Sequence, residues 1–431
     1  MLKRIPIEKL RIGMFIHELC GSWYDHPFWR NAFMLENPED LRDIMATGIR
    51  ETWIDTGKGL DVERDDRGEC CKSEEAIASE IDDTLACANV GRKISHHVDI
   101  AREVERAANI CAQSKQAVAS MFHEARMGKA LNASDALPVV EEITASVARN
   151  PGALISLSRL KDKDNYTYMH SVAVCALMVS LARQLGLGNE QTSQVGMAGL
   201  MHDIGKTMVP LEILNKPGKL TEAEFQIVKN HPIDGHIILL ESHGMSDIVL
   251  HVCLHHHEKA DGSGYPKKLI REQIGLYSKM GALCDIYDAI TSNRTYKDGW
   301  EPAEAIRKMA EWSHRYFDQR IFHAFVKCVG IYPIGTLVRL ASDRLGVVVD
   351  QTDHSSLTPV LMVFFCIKSN RRITPGLLDL SKPTCKDKIV SHEDPKKWDI
   401  HDTRELWCGL AAVPQVEYRQ ASALQMAEAA G

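Results

Sequence analysis

A mainly α protein is predicted, with a large helical body set between a small α+β N-terminal module and a strand-rich C-terminal region. Three patterns predict it. From Lys72 to Tyr332 apolar residues recur at helical spacing, as in Ile81, Leu85 and Ala88 and again in Val98, Ala101 and Val104. Over residues 1–65, by contrast, short hydrophobic runs are punctuated by Gly, Pro, Asp and aromatic residues. Among these are Gly13, His26-Pro27-Phe28-Trp29, Gly48 and the IDTGKGLD run ending at Asp61, the mark of short strands and tight turns. After Pro333 β-branched runs with turn signals take over, first GTLVRLASDRLGVVVDQTD and then LMVFFCI.

A chain of 431 residues exceeds the usual size of one hydrophobic core, so two or three domains are expected. Residues 1–65 read as a small module whose job its chemistry does not state. Residues 66–150 read as a helical linker region with a polar break from Asn132 to Pro138. Residues 151–332 hold nearly all the recognisable chemistry, 333–410 form the strand-rich region, and the Ala- and Gln-rich tail 411–431 is expected to be disordered.

Composition excludes several classes. Apolar residues at 45% and charged residues at 25% are ordinary for a folded chain and argue against disorder. A net charge of −7 leaves no basic footprint for a nucleic-acid polymer, so a small anionic ligand would need a local basic site. The twelve cysteines are scattered, with one adjacent pair, Cys70-Cys71, and no CxxC, which fits reduced buried thiols better than a disulfide framework or zinc ribbon. The opening MLKRIPIEKLRIGMFIHEL has no apolar stretch like that of a signal peptide, and no window offers ~18 uninterrupted apolar residues, so no transmembrane segment and a cytoplasmic location are expected.

The informative constellation is a set of His and Asp residues spread over 151–332: His170, the adjacent His202-Asp203, His231, the run His255-His256-His257, and Asp285. Imidazole together with carboxylate suits first-row divalent metals such as Mn, Fe, Co or Zn, and suits Ca or Mg poorly. Any single histidine, His243 or His314 for instance, is better read as an ordinary core or surface residue. The set is more economically read as a metal site. His202 and Asp203 lie in the apolar run GMAGLMHDIGK, where an ionised Asp is costly to bury unless it is paired or ligates metal. A carboxylate bridging two cations would remove that cost. Lys206, one helical turn after His202, would reach the same cavity and meet phosphate oxygens. Two metals roughly 3.5–4 Å apart can share a water of lowered pKa and clamp a phosphodiester for in-line attack. The run DGSGYP, Asp261 to Pro266, describes a tight loop with close backbone approach. Asp288, Arg294 and Lys297 follow Asp285 closely, and the two cations would hold a second phosphate and a guanine edge.

In this order and spacing, HDIGK, HHE followed by DGSGYP, and DIYDAITSNRTYK resemble the HD-GYP phosphodiesterases of the HD superfamily. The resemblance implies an all-helical HD-type catalytic domain in which His170, His202, Asp203, His231, His256, His257 and Asp285 bind two divalent ions, Fe or Mn. His255 is then left as a structural member of its run. It further implies Asp203 and Lys206 as catalytic groups, with Lys206 near the attacked phosphate. Gly264, Tyr265, Pro266, Asp288, Arg294 and Lys297 become substrate contacts. The first domain is similar to an uncharacterised module often found ahead of HD-GYP domains. The sequence departs from the family in three places. Tyr166 stands where some members carry a Glu that recruits a third metal, Lys268 and Arg271 occupy positions usually held by Gly, and Thr295 replaces a frequent Pro.

The implied function is hydrolysis of cyclic di-GMP to pGpG and onward to GMP, which ends a second-messenger signal governing motility and biofilm. Two other readings stay open: a phosphohydrolase for another nucleotide, and a module that binds cyclic di-GMP or a diguanylate cyclase (GGDEF) partner with little turnover. A pure sensor would not need every metal-binding residue. The sequence leaves the oligomeric state open, a dimer included.

Overall fold

Four short strands build the sheet of the N-terminal unit in this computed structural model. The structure describes residues 2–20, 32–46, 49, 51–62, 82–85, 98, 100–159, 166–216, 218, 220–292, 299–352 and 355–408. Two compact units are distinguished, Met1–Thr84 and Leu85–Gly431. In the first, β1 (Leu2–Pro6), β2 (Phe15–Cys20), β3 (Phe33–Met34) and β4 (Glu51–Asp55) pair antiparallel in the order β1-β4-β2-β3, and α1 (Pro38–Ala46) precedes the last strand. Strand alternation brings Ile16 opposite Ile54, and Ile5, Leu35 and Ile44 complete a core of aliphatic side chains. This is the small α+β module that the punctuated hydrophobic runs predict.

The second unit is helical over most of its length. Its helices are α2 (Ile100–Arg126), α3 (Ala133–Arg149), α4 (Pro151–Ser158), α5 (Tyr166–Leu185) and α6 (Asn189–Met201), then a 3-10 turn (Ile204–Met208). There follow α7 (Leu211–Leu214), α8 (Glu222–Val228), α9 (His231–Leu240), α10 (Asp247–His255), α11 (Leu276–Thr291), α12 (Pro302–Tyr316) and α13 (Gln319–Val329). The axis of the unit is α5. It packs against α2, α3, α4, α6, α11 and α13, and every residue from Met169 to Ala182 is buried. Thr167–Leu185 is long and apolar enough to cross a membrane by length and composition, yet 78% of that stretch is buried inside the fold, where it carries His170. An all-round apolar helix of this kind is the signature of a core element.

Residues 100–149, expected as linker, are helical but pack into the body. The reason is a buried polar tie. Glu103 on α2 is 0% exposed and accepts hydrogen bonds from Ser146 Oγ and from Nε and Nη2 of Arg149 on α3, each at 2.8 Å. A buried carboxylate satisfied by a forked guanidinium locks the two helices together. The expected break from Asn132 to Pro138 is shifted. The turn lies at 127–131, Asn132 caps α3 by accepting from Ser134 N at 3.1 Å, and Pro138 sits inside the helix. Asn150 closes α3 and opens α4, its side chain accepting from Gly152 N with Pro151 at the first helical position. Ile81 and Ala88, whose spacing predicts helix, lie outside the described residues.

Beyond α13, β5 (Leu337–Leu340), β6 (Arg344–Asp350), β7 (Val360–Cys366), β8 (Arg371–Asp379) and β9 (Ile389–His392) form an antiparallel sheet in the order β8-β7-β6-β5-β9, followed by α14 (Thr403–Cys408). The central strands β6 and β7 are buried on both faces, which explains their continuous apolar runs. Trp407 of α14, 3% exposed, belongs to the element packed on β6. The strand-rich region belongs to the same compact unit as the helices, joined where Gln351 Nε2 donates to the Tyr332 carbonyl at 2.7 Å. Residues 411–431 lie outside the described residues. Of eight described thiols five are buried, and all are free.

Candidate metal centre

Five segments of the helical body converge on one buried point. His170 lies one turn into α5 and His202 caps α6. Asp203 follows at the entry to the 3-10 turn, His231 opens α9, His256 and His257 follow the end of α10, and Asp285 lies in the middle of α11. His202 and Asp203 therefore sit at a helix end and not inside a continuous helix. Their donor atoms fall into two groups, each within 4.8 Å: His170, His202 and Asp285 in one, Asp203, His231, His256 and His257 in the other. Asp203 spans both. Its Oδ2 lies 3.4 Å from Nε2 of His170 and 3.4 Å from Nε2 of His202, while its Oδ1 lies 3.3 Å from Nε2 of His231 and 3.7 Å from Nε2 of His256. Asp285 makes a second link, with Oδ1 3.0 Å from His170 Nε2 and Oδ2 3.7 Å from His257 Nδ1.

Hydrogen bonds behind the rings decide what these atoms offer. Nδ1 of His202 donates to the Gly199 carbonyl at 2.8 Å, Nδ1 of His231 to Val228 at 2.7 Å, and Nδ1 of His256 to Cys253 at 2.8 Å. Nδ1 of His170 donates to Asp288 Oδ2 at 2.6 Å. With the proton fixed on Nδ1, each Nε2 turns a lone pair inward. Two pairs then oppose each other, His202 with His170 at 3.3 Å and His231 with His256 at 3.2 Å. Asp203 Oδ1 is buried and has no hydrogen-bond donor among the described residues. Lone pairs facing lone pairs, with a carboxylate oxygen between them, are repulsive unless cations occupy the gaps. The residues present therefore fit two divalent ions sharing Asp203.

The protonation states agree with a ligand set. Burial works against ionised Asp203, but the Lys206 ammonium and the His202 ring hold its pKa well below the usual carboxylate range. Burial also opposes ionised Asp285, but its close contact with the His170 ring and the charge of His257 hold its pKa well below the usual carboxylate range nonetheless. Burial, followed by the charges of His202 and His231, pushes His256 down to about 3, and burial with the His256 charge depresses His257. Burial likewise acts against charged His202, yet the adjacent Asp203 charge prevails and its pKa rises. That rise reports the same negative potential that a cation would neutralise.

The neighbouring candidates separate into three groups. Lys206 reaches the centre, its Nζ 2.5 Å from Asp203 Oδ2. Tyr265 lies at its edge, the ring stacked on His257 at 4.7 Å between centroids, and Gly264 and Pro266 flank it along the chain. A Cβ on Gly264 would lie 2.4 Å from Lys259 N and 2.6 Å from the His257 carbonyl, so only glycine permits this approach. Asp288, expected as a substrate contact, is 1% exposed and sits behind His170 as its hydrogen-bond acceptor. A carboxylate so placed sets a ring's tautomer and does not reach a ligand. Arg294 and Lys297 lie outside the described residues.

Two contributors escape a reading of the sequence as separate ligands. Gly205 lets the 3-10 turn lie against the start of α9, since a Cβ there would lie 1.9 Å from the His231 carbonyl. Glu258, 3% exposed, accepts from Lys267 N at 2.6 Å and Leu269 N at 2.9 Å and so pins the loop that follows the histidine run. Its place beside two histidines and before a Gly-rich run was the available signal. The loop exit also accounts for the unusual Lys268 and Arg271. Arg271 donates to the carbonyls of Phe317 (2.7 Å) and His314 (3.0 Å) at the end of α12, a tie no glycine could make. Lys268 has φ 55 in the left-handed region. That conformation costs a side-chain-bearing residue about 1–2 kcal/mol, whereas glycine adds about 0.4–1 kcal/mol of unfolded-chain entropy. Lys268→Gly is accordingly expected to stabilise the second unit by roughly 0.5–1 kcal/mol, read as a small rise in its thermal midpoint.

Comparison with known proteins agrees with this geometry. Residues 143–321 match the HD domain family, and residues 2–136 match a domain of unknown function (DUF3391). The chain is 50% identical over 412 residues to "Cyclic di-GMP phosphodiesterase PA4108" of Pseudomonas aeruginosa, covering 95% of this chain and 97% of that one. It is 38% identical over 148 residues to "Cyclic di-GMP phosphodiesterase response regulator RpfG" of Xanthomonas campestris pv. campestris, covering 34% of this chain and 39% of that one. It is 36% identical over 176 residues to "3'3'-cGAMP-specific phosphodiesterase 1" of Vibrio cholerae, covering 41% of each. An HD domain built around this His and Asp cluster, together with identity to a phosphodiesterase along nearly the whole of both chains, places the protein in the HD-GYP family of HD-domain phosphodiesterases, enzymes that hydrolyse phosphoric diesters.

Proposed function

We propose that this enzyme opens cyclic di-GMP to linear pGpG with two divalent ions, Fe or Mn, held by His170, His202, Asp203, His231, His256, His257 and Asp285. The observation that carries the reading is the carboxylate of Asp203, with one oxygen turned to each donor group. Bound ions would supply a water of lowered pKa and a clamp on phosphate oxygens. The chain's own residues do the rest. Lys206 neutralises the phosphate under attack, having exchanged its contact with Asp203 for the ligand. Tyr265, stacked on His257, walls the site on the loop side. Arg294 and Lys297 hold the second phosphate and a guanine edge. In the reaction a water oxygen bonds to phosphorus, one P–O3′ bond breaks and the 3′ oxygen takes a proton. Cyclic di-GMP is preferred to 3'3'-cGAMP as substrate because the relative that covers 97% of its own length acts on the former. The enzyme is proposed to work in the cytoplasm, where a diguanylate cyclase would supply its substrate.

Protein purified without oxygen, loaded with Fe(II) or Mn(II) and given each cyclic dinucleotide, tests this directly. Formation of pGpG from cyclic di-GMP is expected. Turnover of 3'3'-cGAMP alone, or saturable binding with no product, would overturn it.

The ion count rests on Tyr166. It is the first residue of α5, one turn before His170, and a phenol of pKa near 10 is a poor ligand for these ions. Fully loaded protein is expected to hold two ions per chain, and Tyr166→Glu to hold three. Quantitative metal analysis of both proteins decides it, and three ions in the unaltered protein would refute the argument. With two ions, conversion of pGpG to GMP is expected to be the slower step.

A further inference from the structure

A lysine outside the seven donors stands at the rim of the metal centre. Lys229 closes α8, its backbone N–H donating to the Phe225 carbonyl at 2.9 Å, and it lies two residues before His231. The side chain is half-buried, and its Nζ sits over two rings, 4.5 Å from the centroid of Phe225 and 5.9 Å from that of Tyr265. Phe225 is one helical turn back on the same face, so α8 itself sets the first contact. Tyr265 belongs to the loop after the histidine run and is in turn stacked on His257. Two ring contacts thus tie the ammonium to a member of the donor set, with one aromatic ring between them. A cation over aromatic faces is held in place without being neutralised. The carboxylates of α8 are engaged elsewhere: Glu224 accepts from Lys216 Nζ at 2.6 and 2.9 Å and from the Thr221 N–H at 2.6 Å, and Glu222 accepts from Gln226 Nε2 at 2.5 Å. Among the described residues no Asp or Glu pairs with Lys229. Lys206, by contrast, already meets Asp203. The charge of Lys229 is therefore available to an anion.

We propose that Lys229 is a further substrate-binding residue, whose ammonium takes an oxygen of the phosphate that is not under attack. This rests on the reading that the site opens a cyclic dinucleotide. Such a ligand carries two phosphodiesters on one ring, so while the ions and Lys206 hold one of them, the other is presented at the rim. An ammonium on a flexible stem meets phosphate as a point charge and does not demand one geometry. The contact is the same before and during P–O3′ cleavage, so it captures the ligand without accelerating the chemical step.

Lys229→Met keeps an unbranched side chain against both rings and removes the charge. In the full chain loaded with Mn(II), KM for cyclic di-GMP is expected to rise about ten-fold while kcat changes by less than about two-fold. The difference in KM should shrink as salt is added, because the missing attraction is Coulombic. Lys229→Arg should restore most of the lost affinity, and metal content and thermal midpoint should match those of the unaltered protein. Turnover by the unaltered protein tests the substrate, whereas the ratio of the two KM values tests Lys229, and it does so equally on 3'3'-cGAMP, which also carries two phosphates. An unchanged KM, a loss of metal that accounts for the lost activity, or Lys229→Arg behaving no better than Lys229→Met would each overturn the proposal. So would a lowered thermal midpoint with KM unchanged, which would reduce Lys229 to a cap on α8.

Discussion

Asp203→Ala is expected to lower phosphodiester hydrolysis by about a thousand-fold or more and to strip most of the bound metal. Asp203 approaches four imidazoles with its two oxygens, so its loss removes a donor from both groups at once. It also removes the negative charge that would separate the two proposed cations, whose mutual repulsion would then be unscreened in a site 1% exposed or less at His202 and Asp203. A bound cation contributes several kcal/mol of transition-state stabilisation, and at about 1.36 kcal/mol per factor of ten that corresponds to roughly three orders of magnitude. Metal analysis alongside turnover checks it. Full metal retention with normal turnover would remove Asp203 from the centre.

The second large effect is expected at Asp288, through His170. Asp288→Asn keeps the size of the side chain but replaces an anionic acceptor with an amide. The amide either accepts more weakly from His170 Nδ1 or presents its own N–H and drives the ring to the wrong tautomer. Losses of outer partners of this kind cost about 10–100-fold in metal affinity or activity. Asp288 is a positioning residue, so a titration with Mn(II) separates the alternatives. Activity should return substantially at high metal concentration with an unchanged KM for substrate. A raised KM at saturating metal would mean that Asp288 touches the substrate after all, and a collapsed thermal midpoint would mean a purely structural role.

Much of this protein was legible in one dimension. Helical periodicity, β-branched runs and turn residues are local properties, and they marked a helical body with two β-containing flanks because secondary structure answers to local spacing. The His and Asp constellation stood out because it recurred in one region and because Asp203 lay in an apolar run, where only pairing or a cation makes it tolerable, and the resemblance to the HD-GYP phosphodiesterases narrowed it to seven donors. Other features were decided only by packing. Residues 100–149 carry the same helical spacing whether they tether or pack, and the buried Glu103 with Arg149 makes them part of the body. Asp288 and Asp285 are three residues apart and chemically identical, yet one faces the donor groups and the other stands behind His170. Gly205 and Gly264 matter through backbone that approaches them from elsewhere, at distances no sequence records. The sequence determined which residue types were available and which elements would carry them. Tertiary structure decided which atoms share a cavity and which stand behind it, because burial, tautomer and charge depend on neighbours that are distant along the chain.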